Sequence, residues 1–364
     1  MAPAGETVGD RHPTGLVGVS VVTEYTRWPN DRPVALILFL FAVSAFAIYL
    51  ASEYFVNGVE WVGRRMGLAE TATGTVLAAI GTALPESMVT FMAVAFGHNA
   101  AQQNVGIGAA FGGPLVLACI AYPLVGIELF ALHRRLGRGA DARVHCDAAH
   151  LARDQLTFLL IFLAKVGLGV VAFSIKPWLG WLFLAAYGVY IFFEVRRRDE
   201  TPSDTDLAPL KLSPHHDPAL WLALTQTLLA MAVIAGASRV FVVQLEGLGV
   251  LLGLPAQLVA VLLSPIATEL PEVFNAIIWV RQGREHLALA NLSGAMMAQA
   301  TVPAGIGILY TPWLLSPDLV VAGIVTALAT LWLYLQFDRQ SPKALRLAPV
   351  VVCYAVFGLA ALYL

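Results

Sequence analysis

The chain carries one stretch of sequence twice, without a gap, 186 positions apart. At that offset Ser52/Ser238, Phe55/Phe241, Glu60/Glu246, Gly63/Gly249, Gly67/Gly253, Thr82/Thr268, Leu84/Leu270, Pro85/Pro271, Glu86/Glu272 and Gly108/Gly294 are identical pairs. Chance matching of apolar sequence yields leucine and alanine coincidences. It does not readily yield Thr-x-Leu-Pro-Glu together with paired serines, glutamates and glycines in one register. The first core reads Ile80-Gly81-Thr82-Ala83-Leu84-Pro85-Glu86, the second Ile266-Ala267-Thr268-Glu269-Leu270-Pro271-Glu272. Each puts a proline and a carboxylate in the middle of an apolar run. A charged side chain at a bilayer centre costs roughly 2.5–3.5 kcal/mol on insertion scales, so such a residue marks a functional position. The chain must therefore fold as two equivalent halves, each supplying one costly group.

Composition sets the solvent. Hydrophobic residues make up 58% of 364 positions and charged residues 13%, against about 25% charge in a soluble domain. No polar stretch is long enough to build a core of its own. With about 20 apolar residues per crossing, ten spans emerge: 34–63, 70–96, 104–127, 155–174, 177–195, 219–250, 255–280, 286–311, 317–336 and 345–364. Lys176-Pro177 separates the fourth from the fifth, because proline resists helix interiors and restrains its predecessor. This divides the chain into an N-terminal segment (1–33), a first five-helix repeat (34–195), a linker (196–217) and a second five-helix repeat (218–364). The linker holds Arg196-Arg197-Arg198 and three prolines and is expected to be flexible. Its Pro214-His215-His216-Asp217 reads as solvated loop and helix start. No basic region followed by a short apolar core and a small-residue cleavage site opens the chain, so no cleaved signal peptide is expected. Cys119, Cys146 and Cys353 fit neither a metal motif nor a disulfide framework and read as small apolar filler.

The basic residues predict orientation. With ten spans, the odd-numbered loops hold sixteen lysines and arginines, among them Arg64, Arg65, Arg134, Arg135 and Arg196 to Arg198, whereas the opposite side has Arg11, Arg27, Arg32 and Lys176. By the positive-inside rule both termini lie outside the cytoplasm, which suits a multi-pass protein of the cell's inner (plasma) membrane. Five helices between the copies make the second enter from the other face, so the halves are inverted repeats about an axis in the membrane plane. The expected fold is an all-α polytopic membrane protein of ten transmembrane helices, two inverted five-helix repeats with broken helices at the midplane.

The repeated motif also carries chemistry. Proline lacks an N–H and clashes with the carbonyl four residues back, so Pro85 frees the carbonyl of Gly81 and Pro271 that of Ala267. Those carbonyls, the hydroxyls of Thr82 and Thr268, and the carboxylates of Glu86 and Glu272 are hard oxygen donors. They suit Ca²⁺ or Na⁺ and offer nothing soft for Zn²⁺ or Cu⁺. The third and eighth spans present small residues (Gly106, Gly108, Ala109, Ala110, Gly112 and Gly113; Gly294, Ala295 and Ala298), which permit close helix contact. Pro114 and Pro303 free the carbonyls of Ala110 and Gln299 and are expected to interrupt both helices; Gln299 is the polar side chain at the centre of the eighth.

These motifs resemble the sodium/calcium exchanger family of cation antiporters. Residues 81–86 are similar to its Gly-Thr-Ser-Leu-Pro-Glu signature, and 267–272 to the second copy. Stretches 104–118 and 291–305 stand where the family has Gly-Ser-Asn followed by Asn or Asp. The resemblance implies a five-plus-five inverted fold, the two glutamates as central Ca²⁺ ligands, and both termini outside. It also marks departures. The signature serine is Ala83 in one copy and Glu269 in the other, and the Asn or Asp positions are Gly113 and Gln299. In the family those serines and polar groups help bind Na⁺, so sodium coupling is in question.

Glu269 is three residues from Glu272, so the two share a helix face, and with Glu86 they crowd one cavity. Crowded carboxylates titrate as a group, which makes them candidates for binding a counter-transported proton. The expected metal-site residues are Glu86, Glu272, Glu269, Thr82, Thr268, Gly81, Ala267 and Gln299. The expected activity is secondary antiport of a cation, Ca²⁺ first, against Na⁺ or H⁺; the alternatives are H⁺-coupled exchange of another cation, a channel-like relative or a transport-inactive one. No enzyme motif of the His-Glu-x-x-His or Gly-x-Ser-x-Gly kind and no Walker loop occurs, so neither catalysis, ATP nor a cofactor is expected. The partners implied are the transported cations and the lipid bilayer, with no nucleic acid and no obligate protein partner. Glu60 and Glu246 line an access path or reach an interface, and Lys165 and Arg239 snorkel or pair with an acid.

Overall fold

A computed structural model of the chain describes residues 33–66, 78–137, 142–196, 208–213, 218–339 and 342–361. Every extended element among them is helical; the isolated bridge between Arg143 and Lys343 is the one trace of strand pairing among the described residues. Helix α1 (Val34–Arg65) starts directly after Pro33, whose missing N–H costs nothing at a helix start. It is followed by α2 (Ala78–Phe96) and α3 (Ala100–Val116), with Asn99 capping α3 by accepting the amide of Gln102. A π-turn at Leu117–Ala121 joins α3 to α4 (Tyr122–Ala131). Its cause is local. Pro123 cannot serve the carbonyl of Cys119, and the turn widens so that the Tyr122 amide bonds Leu117 instead.

Helix α5 (Ala148–Gly169) begins on an Asp147 cap, and α6 (Gly180–Arg196) follows a short 3₁₀ turn at Lys176–Leu179. In the second half, α7 (Leu220–Leu252) ends on Gly253 with φ +65°, and the Leu254 amide reaches back to the Gly249 carbonyl. A side chain at position 253 would be strained there. The remaining helices are α8 (Ala256–Thr268), α9 (Leu270–Arg281), α10 (Glu285–Tyr310), α11 (Pro317–Phe337) and α12 (Val351–Ala361).

Among the described residues, seven helical segments are long and apolar enough to cross a membrane, eight when the bent pair α8–α9 counts as one span. Helix α2 contributes a shorter apolar stretch, residues 83–96, and α5 carries Arg153, Asp154 and Lys165. The helices pack across the two halves: α1 along α7, α3 against α8, α2 against α10 and α5 against α11. Helix α10 is the central post, with 83% of its most apolar window buried against 22% for α1, whose outer face is left for lipid.

Glycines set the closest contact. A Cβ on Gly108 would stand 2.9 Å from the Cβ of Ala260, and one on Gly112 2.8 Å from the carbonyl oxygen of Val261. The small face of α3 is therefore spent on backbone contact with α8.

The structure departs from three expectations. Pro303 does not interrupt α10, which runs unbroken through it, and Pro85 likewise sits inside a continuous α2. Pro114 also lies within α3, and the irregularity follows it, at the π-turn. Neighbouring helices hold these helices on course past a proline, as happens in membrane bundles. The linker is not free along its length. The carbonyl of Ala208 accepts from Asn57 and Trp61, the Lys211 amide donates to Asn57, and the Lys211 ammonium meets Glu53 at 2.6 Å. The Leu212 amide donates to Gln226. Residues 208–213 thus bridge α1 and α7, and Gln226 joins the two helices directly by donating to Asn57 and to the carbonyl of Tyr54. Pro214 to Asp217 lie outside the described residues. All three cysteines are free thiols.

Candidate functional site

The two copies of the motif meet in the protein interior and behave differently there. In α2, Ala83, Pro85 and Glu86 are buried, and Glu86 has no solvent exposure at all. The backbone at Gly81 and Thr82 is helical, and their side chains lie outside the described residues. The second copy breaks. Helix α8 stops at Thr268, α9 starts at Leu270, and the axes bend by 48°. Pro271 falls in the first turn of α9, where no helical N–H is missed, and Pro265 puts a second proline six residues upstream. The first copy has Ala79 at that equivalent position.

Glu269 sits on the break and is fully hydrogen-bonded. Thr268 Oγ1 donates to its Oε1 at 2.9 Å and Gln299 Nε2 to its Oε2 at 2.8 Å. Glu86 is the opposite case. It is buried, and neither carboxyl oxygen accepts a hydrogen bond from an N–H or hydroxyl among the described residues. Its carboxyl faces that of Glu269 and lies in the field of Glu272 and Lys165. As two anions Glu86 and Glu269 repel; a proton between them converts the contact into a hydrogen bond. Glu272 is likewise buried in the first turn of α9, with Ala267 and Thr268 buried beside it.

Gln299 is the hinge of the arrangement. Its amide nitrogen holds Glu269, while its buried Oε1 has no partner among the described residues. Gly113, on α3, explains how Glu86 and Gln299 reach one place. A Cβ at position 113 would overlap the Glu86 carboxyl and stand 2.9 Å from Gln299 Oε1. The missing side chain is the space in which the two oxygen groups converge. Ser264 adds a buried hydroxyl one turn before Thr268. Of the expected site residues, the structure brings together Glu86, Glu269, Thr268 and Gln299, with Glu272 in electrostatic reach. Among the described residues no three His, Cys, Asp or Glu side chains form a ready-made metal cage in this conformation.

The family described as sodium/calcium exchanger protein matches residues 36–196 and 222–364, nearly the whole chain. The chain belongs to the sodium/calcium exchanger family. Among relatives, it is 29% identical over 164 residues to Cation/calcium exchanger 2 of Arabidopsis thaliana, a match covering 44% of this chain and 27% of that protein. It is 25% identical over 283 residues to the inner membrane protein YrbG of Escherichia coli K12, covering 76% of this chain and 81% of that one. The chain thus spans about a quarter of the plant relative and most of the bacterial one. Among solved structures, it resembles the H⁺/Ca²⁺ exchanger CAX with a TM-score of 0.68 at 16% identity, covering 90% of this chain and 87% of that one. It also resembles the sodium-calcium exchanger NCX_Mj with a TM-score of 0.55 at 18% identity, covering 91% and 100%. These two likenesses concern the fold.

Within that family fold two residues carry more than the sequence suggested. Gly113 is not merely a lost polar position but the opening that admits Glu86. Lys165 does not snorkel; of the two expectations, pairing with an acid is the one its surroundings favour. It is fully buried, donates to the carbonyl of Ala110 at 2.8 Å, and faces Glu86. Its one sequence-level signal was a lysine in the middle of a span. Two other charges within the spans make contacts between helices. Glu246 accepts from Asn99 at 2.8 Å and from Gln102 at 2.8 Å, tying α7 to the start of α3, and Arg239 meets His98 at 2.9 Å.

Proposed function

We propose that this exchanger-family protein moves a cation, Ca²⁺ first among candidates, across a membrane in exchange for H⁺, by alternating access to a site between its two repeats. One observation carries the proposal: fully buried Glu86, its oxygens without donors among the described residues, meets Gln299 in the space left by Gly113, beside hydrogen-bonded Glu269. Leaving a carboxylate unsatisfied inside a protein is costly, so the group is kept for a charge that comes and goes. A divalent ion fits by charge and by the hardness of the donors: carboxyl oxygens of Glu86 and Glu272, the Gln299 carbonyl, and the backbone carbonyls of Gly81 and Ala267. The hydroxyls of Thr82 and Thr268 complete the set. The cargo draws these groups together from their present separation, and when it leaves, protons on the crowded carboxyls take over its charge-balancing role. No cofactor enters this scheme; the ion gradient supplies the energy.

The same reading gives ten crossings, as two inverted five-helix repeats, with both termini outside the cytoplasm in the cell's inner membrane. The reciprocal pairing of α2 with α10 and of α8 with α3 supports the inversion, because an in-plane two-fold axis exchanges those two contacts. Likeness to a cation/calcium exchanger and to an H⁺/Ca²⁺ exchanger supports the cargo. Sodium as counter-ion is the second reading, favoured by the family's description and by the NCX_Mj likeness. Purified protein in proteoliposomes decides between them. Ca²⁺ uptake driven by an imposed pH gradient, and indifferent to a Na⁺ gradient, is the expected result. Uptake that follows Na⁺ and ignores pH would replace the proton with sodium. Absence of Ca²⁺ movement on either gradient would sink the exchanger reading.

A further inference from the structure

Lys165 comes from α5, outside both repeated motifs, yet its ammonium is built into the site. Nζ lies 2.8 Å from the carbonyl oxygen of Ala110, the carbonyl that Pro114 deprives of its helical partner. Two ring faces enclose it, Phe111 at 4.6 Å and Phe162 at 4.8 Å from their centroids, and Glu86 faces it electrostatically. The enclosure is rigid. Phe111 meets Phe162 edge to face and stacks on Trp313, whose Nε1 donates to the Lys165 carbonyl oxygen at 3.1 Å. A freed carbonyl, a carboxylate and two aromatic faces together describe a position for a cation. Here the cation is part of the chain.

We propose that Lys165 is a tethered cation that fills one cation position of the transport site and so sets the site's charge and its indifference to a co-bound monovalent ion. The inference rests on the reading that Glu86, Glu269 and Glu272 hold the cargo. Three carboxylates opposite one ammonium leave a net charge of −2, which one divalent ion or two protons balance. Without the ammonium the site is left at −3. A divalent ion then leaves one charge over, and the emptied place beside Ala110 and the two rings can accept Na⁺. Lysine thus decides that an ion pairs with the site alone rather than with a companion.

The test replaces the charge and keeps the shape. Lys165→Met and Lys165→Gln, the latter retaining a donor for the Ala110 carbonyl, are compared with the native chain by thermal unfolding in detergent. Na⁺ is raised at constant ionic strength with choline, in excess Ca²⁺. The native protein is expected to be flat in Na⁺, and both variants to gain about 3 °C or more by 100 mM, since an ion bound only by the folded state stabilises it. Adding Glu86→Gln to Lys165→Met restores the net charge and is expected to abolish the gain. Variants that aggregate in choline but are rescued by Na⁺ support the proposal equally. Variants whose Na⁺ response matches that of the native chain, or that Na⁺ does not rescue, overturn it. Because the readout is Na⁺ binding, it can succeed where the native protein moves no Ca²⁺, and it can fail where exchange is intact.

Discussion

The two copies of one motif have taken different paths in this molecule. In the first, α2 runs straight through Pro85 and delivers Glu86 bare into the interior. In the second, the helix breaks at Glu269, a glutamate in place of alanine that lies between Pro265 and Pro271, and the break is where the polar contacts gather. A duplicated sequence thus need not give duplicated local structure. The residue aligned with Ala83 turned one copy into a hydrogen-bonded fixture and left the other to provide the buried carboxyl that lacks a donor among the described residues. The division suits a carrier: a fixed carboxyl positions, and an unsatisfied one responds.

Removing the charge on either of the repeated glutamates is expected to have the largest effect on this contrast. Glu86→Gln and Glu272→Gln should each reduce Ca²⁺ uptake into proteoliposomes by about 100-fold or more, given that each tenfold corresponds to about 1.4 kcal/mol. If Glu272→Gln transports like the native chain, the two halves do not share the cargo. Glu269→Gln comes next. It keeps the shape while weakening charge-assisted hydrogen bonds of about 1.5–3 kcal/mol, so an uptake loss of about tenfold is expected, with the response to a pH gradient lost as well. An unchanged pH response would make Glu269 structural and unite the copies again.

Gly113→Ala should follow, with apparent Ca²⁺ affinity about five-fold weaker, as overpacking by a methyl against the Glu86 carboxyl costs about 1 kcal/mol or more. Binding titration of the variant reads this directly, and native affinity would show that Glu86 has room elsewhere. The smallest effect separates the prolines. Pro85→Ala lets α2 recover a helical bond and should raise the thermal midpoint by a few degrees, whereas Pro271→Ala, in a first turn, should shift it by about 1 °C or less. Equal shifts would mean that the break in the second half is made by proline rather than by Glu269 and its partners.

Much of this was legible in the residues. The ungapped offset exposed Glu86 and Glu272 as equivalent, the apolar runs located the helices, and the proline-carboxylate pairing pointed to the interior. Gln299 was identified as the polar centre of its span, and it does hold Glu269. What escaped the reading depends on neighbours. The expected interruption at Pro303 is missing because surrounding helices support α10. The lower linker is docked because Asn57 and Gln226, on helices far apart in sequence, both offer partners to residues 208–213.

By itself the sequence determined the membrane class, the duplication and the two oxygen-bearing motifs, because hydrophobic runs and repeated residues are local properties that one strand of text contains. Tertiary structure decided which carboxylate is bare and which is held, why position 113 must be glycine, and that Lys165 reaches the site from another helix. Those outcomes follow from distances between segments up to about 210 residues apart, where close packing and the need to partner every buried charge choose among arrangements.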